Sequence, residues 1–167
     1  QAFNSIIREV AARHGARVVE VQDRLLQAAE HGIIGDDLML EHLHPNLYGY
    51  FLLADAYYEA LRDPGMIGTW EQALPVQQAR GEIPVTEVDR LKGMYEIVRL
   101  KSDWPFRDSY TEPDYPARST AIEHLAYDLF KGELVWPEAL KRLWSHYRLT
   151  RNKPAAARVA ALLATIY

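Results

Sequence analysis

The chain contains no cysteine, which excludes disulfides, thiolate metal ligands and a thiol nucleophile. Long apolar runs are missing as well. Nothing approaches the ~18 uncharged residues of a membrane-spanning helix, and the best candidate, residues 50–58, is interrupted by Asp55. A basic stripe is also lacking. The 19 Lys and Arg residues are scattered and the formal net charge is -4, so no nucleic-acid partner is expected. The start, QAFNSIIREVAARHG, alternates charge and apolar residues on a helical period, unlike a secretion signal, and has no initiator Met. That start and the closing ALLATIY both break off inside helical patterns, so both ends read as cut.

What is present reads as alternating structure first and helix afterwards. Residues 2–14 place Ile6, Ile7, Val10 and Ala11 on one face of a helix, and Gly15 is its stop. Residues 16–21 are rich in β-branched side chains and predict a short strand. Helix, Gly, strand is the return half of an α/β unit. A short helix over 23–30 ends at His31-Gly32, and a loop over 33–40 turns at Gly35-Asp36-Asp37. His14 and His31 lie beside glycines at helix ends, where a cation favours the macrodipole.

An amphipathic helix follows over 46–62, with Asn46 as its N-cap and Asp63-Pro64-Gly65 as its end. A connector over 63–83 holds a short helix, 70–80, interrupted by Pro75. Thr86-Glu87-Val88-Asp89 is a capping box with Asp for Glu, opening a helix over 86–101 with Val88, Leu91, Met94, Tyr95 and Val98 on one side. Residues 102–118 carry Pro105, Pro113 and Pro116 and form an irregular link. In that link Trp104, Phe106, Tyr110 and Tyr115 are expected to glue the chain to a core. Three helices close the chain, over 120–131, 137–149 and 154–167.

The chemistry-bearing segment is Glu41-His42-Leu43-His44-Pro45-Asn46, between a loop and a helix start. A carboxylate three residues before a histidine can reach back to its Nδ1 and hold one tautomer, leaving Nε2 to accept a proton. Two other readings stay open. His44-Pro45 can simply punctuate a loop before a helix, and His42 and His44 with Asp36 or Asp37 can be read as a metal site. No third ligand stands at a recognised metal spacing, so neither a metal nor any other cofactor is expected.

The Glu41-x-x-His44-Pro45-Asn46 block, with the preceding helix–Gly–strand, Gly32-Ile33 and the following Gly49-Tyr50, resembles the last block of SGNH (GDSL-type) hydrolases. The resemblance implies that His44 is the catalytic base of a Ser-His-Asp triad and that Glu41 takes the Asp position, one methylene longer. The family's nucleophile lies in an N-terminal Gly-Asp-Ser block, with Gly and Asn donors to the oxyanion in later blocks. None is recognisable here. Ser5, Ser102, Ser109, Ser119 and Ser145 all lack that setting and the Gly-x-Ser-x-Gly setting.

Residues 140–167 resemble one tetratricopeptide (TPR) repeat. Leu140, Leu143, Trp144 and Tyr147 fill the first helix, with Trp144 where a small residue is usual, and Ala156, Ala160 and Leu163 fill the second. A shift of 34 residues puts Ile122, Ala126 and Leu129 on an earlier second helix, whose partner would fall in the Pro-rich 105–116. An ordinary helical hairpin fits the same residues. Leu100 to Phe106, following the helix opened by Val85-Thr86-Glu87, resembles the connector of bacterial proteins that join an SGNH-like domain to TPR repeats.

Together these readings predict a mainly α chain. A partial α/β remnant with one or two short strands (1–63) is followed by a helical connector (64–118) and antiparallel TPR-like helices (119–167). The implied function is that of an ester-hydrolase fragment, inactive alone for want of its serine, acting on an acyl or O-acetyl group of a lipid or carbohydrate. The implied partners are the missing N-terminal half of the hydrolase domain and a protein or peptide on the TPR-like helices. The alternative function is a non-catalytic interaction module with a degenerate hydrolase domain.

Overall fold

A computed structural model describes residues 2–62, 66 and 74–166. Among them are eight α-helices in two units, residues 1–82 and 83–167.

In the first unit, α1 (Ala2–His14) ends where Gly15 adopts φ +64° and the Ala16 amide donates back to the Ala11 carbonyl, 2.9 Å. The expected strand over 16–21 does not form. Residues 16–20 form no strand among the described residues, and α2 (Val21–Ala28) starts at the last of the predicted strand residues. A strand is stable only in a ladder, and among the described residues the one bridge joins Met39 to Pro45 elsewhere. No residue of α1 is buried, and Ile6, Ile7 and Val10 are exposed. The helix is instead tied down by polar contacts, with Arg8 forking onto both oxygens of Glu20 at 2.8 and 2.7 Å.

A 3-10 turn (Glu30–Gly32) and a loop lead from α2 to α3 (Leu47–Arg62). These two helices pack around Ala29, Leu38 and Leu52. Arg24 of α2 pairs with the buried Asp55 and, at 3.2 Å, with Glu59, both on α3. The stop at Asp63-Pro64-Gly65 and most of the first half of the 70–80 helix lie outside the described residues. The described part begins after Pro75 as α4 (Val76–Gly81), where Arg80 stacks 3.9 Å over the Tyr48 ring.

The second unit holds α5 (Glu87–Leu100), α6 (Ala121–Lys131), α7 (Trp136–Leu149) and α8 (Lys153–Ala164), each packed on the next. Two capping boxes start the first two. The Thr86 amide donates to Asp89 at 2.8 Å, and the Thr120 amide to Glu123 at 2.7 Å. Gly132 ends α6 at φ +75°.

The core joins Val88 and Tyr95 of α5 to Ile122, Ala126 and Leu129 of α6, Leu140 and Leu143 of α7, and Ala156 and Val159 of α8. Polar side chains lock α7 to α5. Trp136 Nε1 donates to Asp89 at 2.7 Å, and Tyr147 donates to Glu87 at 3.0 Å. Burial, reinforced by that carboxylate, pushes the Tyr147 phenol up to about 12.

The partner of α6 is therefore α5, reached through the long 101–120 connection, and not the Pro-rich 105–116. Of the three residues expected on the second helix of the repeat, Ala156 is buried and Leu163 packs on the core, while Ala160 is exposed and its neighbour Val159 takes the buried place. Of the four link aromatics Tyr115 joins the aromatic cluster, against Tyr95, Tyr127 and Phe130, while Trp104 and Tyr110 are exposed.

One pH effect follows from these caps. The Glu123 carboxyl is lowered to about 2, first by the backbone amides of Ser119 and Thr120 and then by their hydroxyls. A depressed carboxyl stabilises the fold above its ordinary value of 4.5, and that contribution is lost as pH falls toward about 2. Amide protection factors at Ser119 and Thr120, corrected for the intrinsic pH dependence of exchange, should therefore fall over that acid range, and Glu123→Gln should flatten the dependence. Flat protection in the unsubstituted chain would refute the assignment.

Candidate functional site

The site is built on the loop between the 3-10 turn and α3. Asp37 shapes its first bend by accepting from the Glu30 amide at 2.8 Å and the Gly35 amide at 3.2 Å. The Leu38 carbonyl accepts from the Asn46 amide at 2.8 Å, and the His44 carbonyl accepts from the Leu40 amide at 2.8 Å. These two bonds flank the Met39–Pro45 bridge and hold residues 40–44 as a tight tip.

Asn46 fixes this tip to α3. Its side-chain oxygen caps the helix, accepting from Tyr48 at 2.9 Å and Gly49 at 3.0 Å. Its amide nitrogen donates to the Asp36 and Asp37 carbonyls at 3.2 and 2.8 Å. Asn46→Ala removes all four bonds and should cost about 2–3 kcal/mol. Asn46→Asp keeps the cap but loses the donors, and should fall between. Urea midpoints of the first unit's resonances measure this, and equal midpoints for all three proteins would contradict it.

Glu41 sits inside the tip. Its side chain is 2% exposed and curls over the chain ahead of it. One oxygen accepts from the Leu43 amide at 2.8 Å and the other from the His44 amide at 2.9 Å. The second oxygen also holds His44 Nδ1, and His42 Nδ1 lies 2.8 Å from the first. Burial pushes the Glu41 carboxyl up. The bonds from the His44 ring and from the Leu43 and His44 amides outweigh that, so it settles below its ordinary value. An ionised Glu41 is an acceptor only, so Nδ1 of His44 carries the proton and Nε2 is left as the acceptor of the neutral ring. The His44 ring is 47% exposed, and Glu41 is its only hydrogen-bond partner among the described residues.

The two residues singled out in the sequence are thus in direct contact. The longer glutamate reaches because its extra methylene lets the carboxylate fold over the amides two and three residues ahead. Sequence reasoning missed three contributors. Gly49 is one: a Cβ there would meet the Leu38 carbonyl oxygen at 2.3 Å and Pro45 Cβ at 2.9 Å, so only glycine lets α3 approach the loop this closely. Its signal was a glycine three residues after a cap. The others are the donor role of Asn46 and the contact of His42.

The metal reading loses its third ligand, since Asp37 is directed onto backbone amides, and among the described residues no three His, Asp or Glu side chains are grouped to hold an ion. The hydroxyls of Ser102, Ser119 and Ser145 are bonded within the second unit, to Arg99, Glu123 and Lys141. A cleft of about 410 Å³ is lined by residues of 17–27 and by Ala56, Glu59 and Ala60. Neither Glu41 nor His44 lines it.

Comparison of the chain with protein-family models, with curated proteins and with solved structures gave no match in any of the three.

Proposed function

We propose that this chain is part of a serine-dependent ester hydrolase of the SGNH/GDSL type, with His44 as base and Glu41 as its orienting carboxylate. The observation that carries the reading is the buried Glu41 carboxylate on His44 Nδ1, which leaves Nε2 unpartnered on an exposed ring. In such an enzyme Nε2 takes the serine proton as the hydroxyl oxygen attacks the acyl carbon, then returns it to the leaving alcohol. The serine and the oxyanion donors would come from chain outside these residues.

Two features of the first unit support that arrangement. Among the described residues no strand lies beside the strand-like 16–20, and α1 carries a bare apolar face. Both would be satisfied by the sheet of a larger α/β domain. The second unit would serve as a TPR-like surface for a peptide or protein partner, supported by the consecutive packing of α5 to α8.

The second reading, a non-catalytic interaction module with a degenerate hydrolase part, is favoured because among the described residues the His44 ring bonds Glu41 and no serine. The test compares this chain with a version carrying about 150 further upstream residues, the length of a typical domain. Labelling by a fluorophosphonate and hydrolysis of p-nitrophenyl acetate are measured on both. The longer protein should react at an upstream serine and this chain should not. Inertness of both would leave the interaction reading.

A further inference from the structure

We propose that His42 is a positioning residue for the Glu41–His44 pair, so that one buried carboxylate is held between two imidazoles. The inference rests on the reading of His44 as base and adds a residue to it. An ionised carboxylate offers about four acceptor positions. At Glu41 the His44 amide and ring take one oxygen, and the Leu43 amide takes the other at 2.8 Å. His42 Nδ1 also approaches that other oxygen, to 2.8 Å. With 2% of the side chain exposed, water has little room to replace that contact.

The need for a second imidazole comes from the length of glutamate. One extra torsion, compared with aspartate, lets the carboxyl plane roll and carry an oxygen away from His44. A ring against the opposite oxygen adds to the Leu43 amide there in resisting that roll. The neighbouring charges are engaged elsewhere: Asp37 by the Glu30 and Gly35 amides, Arg24 by Asp55 and Glu59, and Arg80 over Tyr48. From α3 and its cap the loop meets uncharged groups: the Asn46 side chain, the Gly49 backbone, Tyr48 and Leu52. His42 is therefore the side chain placed to hold the second oxygen.

The experiment is ring-nitrogen and carboxyl NMR on this chain, unsubstituted and as His42→Ala, His42→Asn and Glu41→Gln. His42 is 61% exposed, so its replacement leaves the core intact, and the amide spectrum verifies folding. In alkaline buffer, His42→Ala should cut the Nδ1-protonated fraction of His44 by about half and move the Glu41 carboxyl titration up by about half a pH unit. His42→Asn, whose amide can occupy the place of Nδ1–H, should restore both. Unchanged readouts in His42→Ala, or no rescue by asparagine, overturn the proposal. If instead Glu41→Gln leaves the His44 tautomer unaltered, the base reading itself fails, whatever His42 does.

Discussion

Gly49→Ala should lower the stability of the first unit by about 2–4 kcal/mol, the sum of an overpacked contact and a lost buried hydrogen bond. The sign is what makes the experiment informative. In an unobstructed helix the same change stabilises by roughly 0.5–1 kcal/mol, because alanine loses less backbone freedom on folding. Here the new methyl would lie 2.3 Å from the Leu38 carbonyl oxygen, a backbone atom that cannot swing aside like a side-chain tip. That oxygen also accepts the Asn46 amide at 2.8 Å. Pushing it away loosens the Met39–Pro45 bridge and the cap of α3 together, and with them the tip that holds Glu41 on His44. Thermal melts followed by NMR give the result, with resonances of 83–167 as the internal reference. A melting temperature at or above that of the unsubstituted chain would show that the helix and loop do not meet this closely.

On the proposed hydrolase reading, His44→Ala should cost the upstream-extended protein about 10³-fold or more in kcat/KM, or about 4 kcal/mol of transition-state stabilisation at 1.36 kcal/mol per decade. Without Nε2 the serine hydroxyl has no acceptor for its proton, and its nucleophilicity falls to that of an alcohol in water. Glu41→Gln tests the other half of the pair. A glutamine presents its carbonyl or its amide to Nδ1, so the carboxylate no longer enforces the tautomer that leaves Nε2 bare. Losses of about 10²- to 10⁴-fold follow where an orienting carboxylate is replaced by its amide. The readouts are steady-state hydrolysis of an activated ester and the rate of fluorophosphonate labelling. Both should fall together, since both need the activated serine. Turnover that survives His44→Ala unchanged would remove the catalytic reading of this loop.

The two units carry their stability in different ways. The second has a continuous apolar core from α5 to α8, closed by the Trp136–Asp89 and Tyr147–Glu87 bonds. Among its described residues the first buries little beyond Ala29, Leu38 and Leu52 and relies on capping, the Asn46 bonds and ion pairs such as Arg24–Asp55. A unit held mainly by polar contacts is sensitive to single losses at Asn46 or Gly49, because no large core compensates. That is why the largest stability effects are expected in the loop that also carries the candidate chemistry.

Much of this was legible in the sequence because it depends on neighbours in the chain. Helical periodicity, the Thr86 capping box with aspartate for glutamate, the Asn46 cap and the Gly15 stop are local, and the structure forms each of them. The reach from Glu41 to His44 is local too, spanning three residues, and so it could be read before any fold was known. What only the tertiary structure decided depends on distant partners. Residues 16–20 have strand composition but no ladder, since backbone pairing must be supplied by another segment. The pairing of α5 with α6 across 101–120, and the choice of Val159 over Ala160 for the core, follow from shape complementarity between helices. The role of Gly49 is of the same kind. A missing Cβ acquires meaning only when a carbonyl from eleven residues earlier is packed against it.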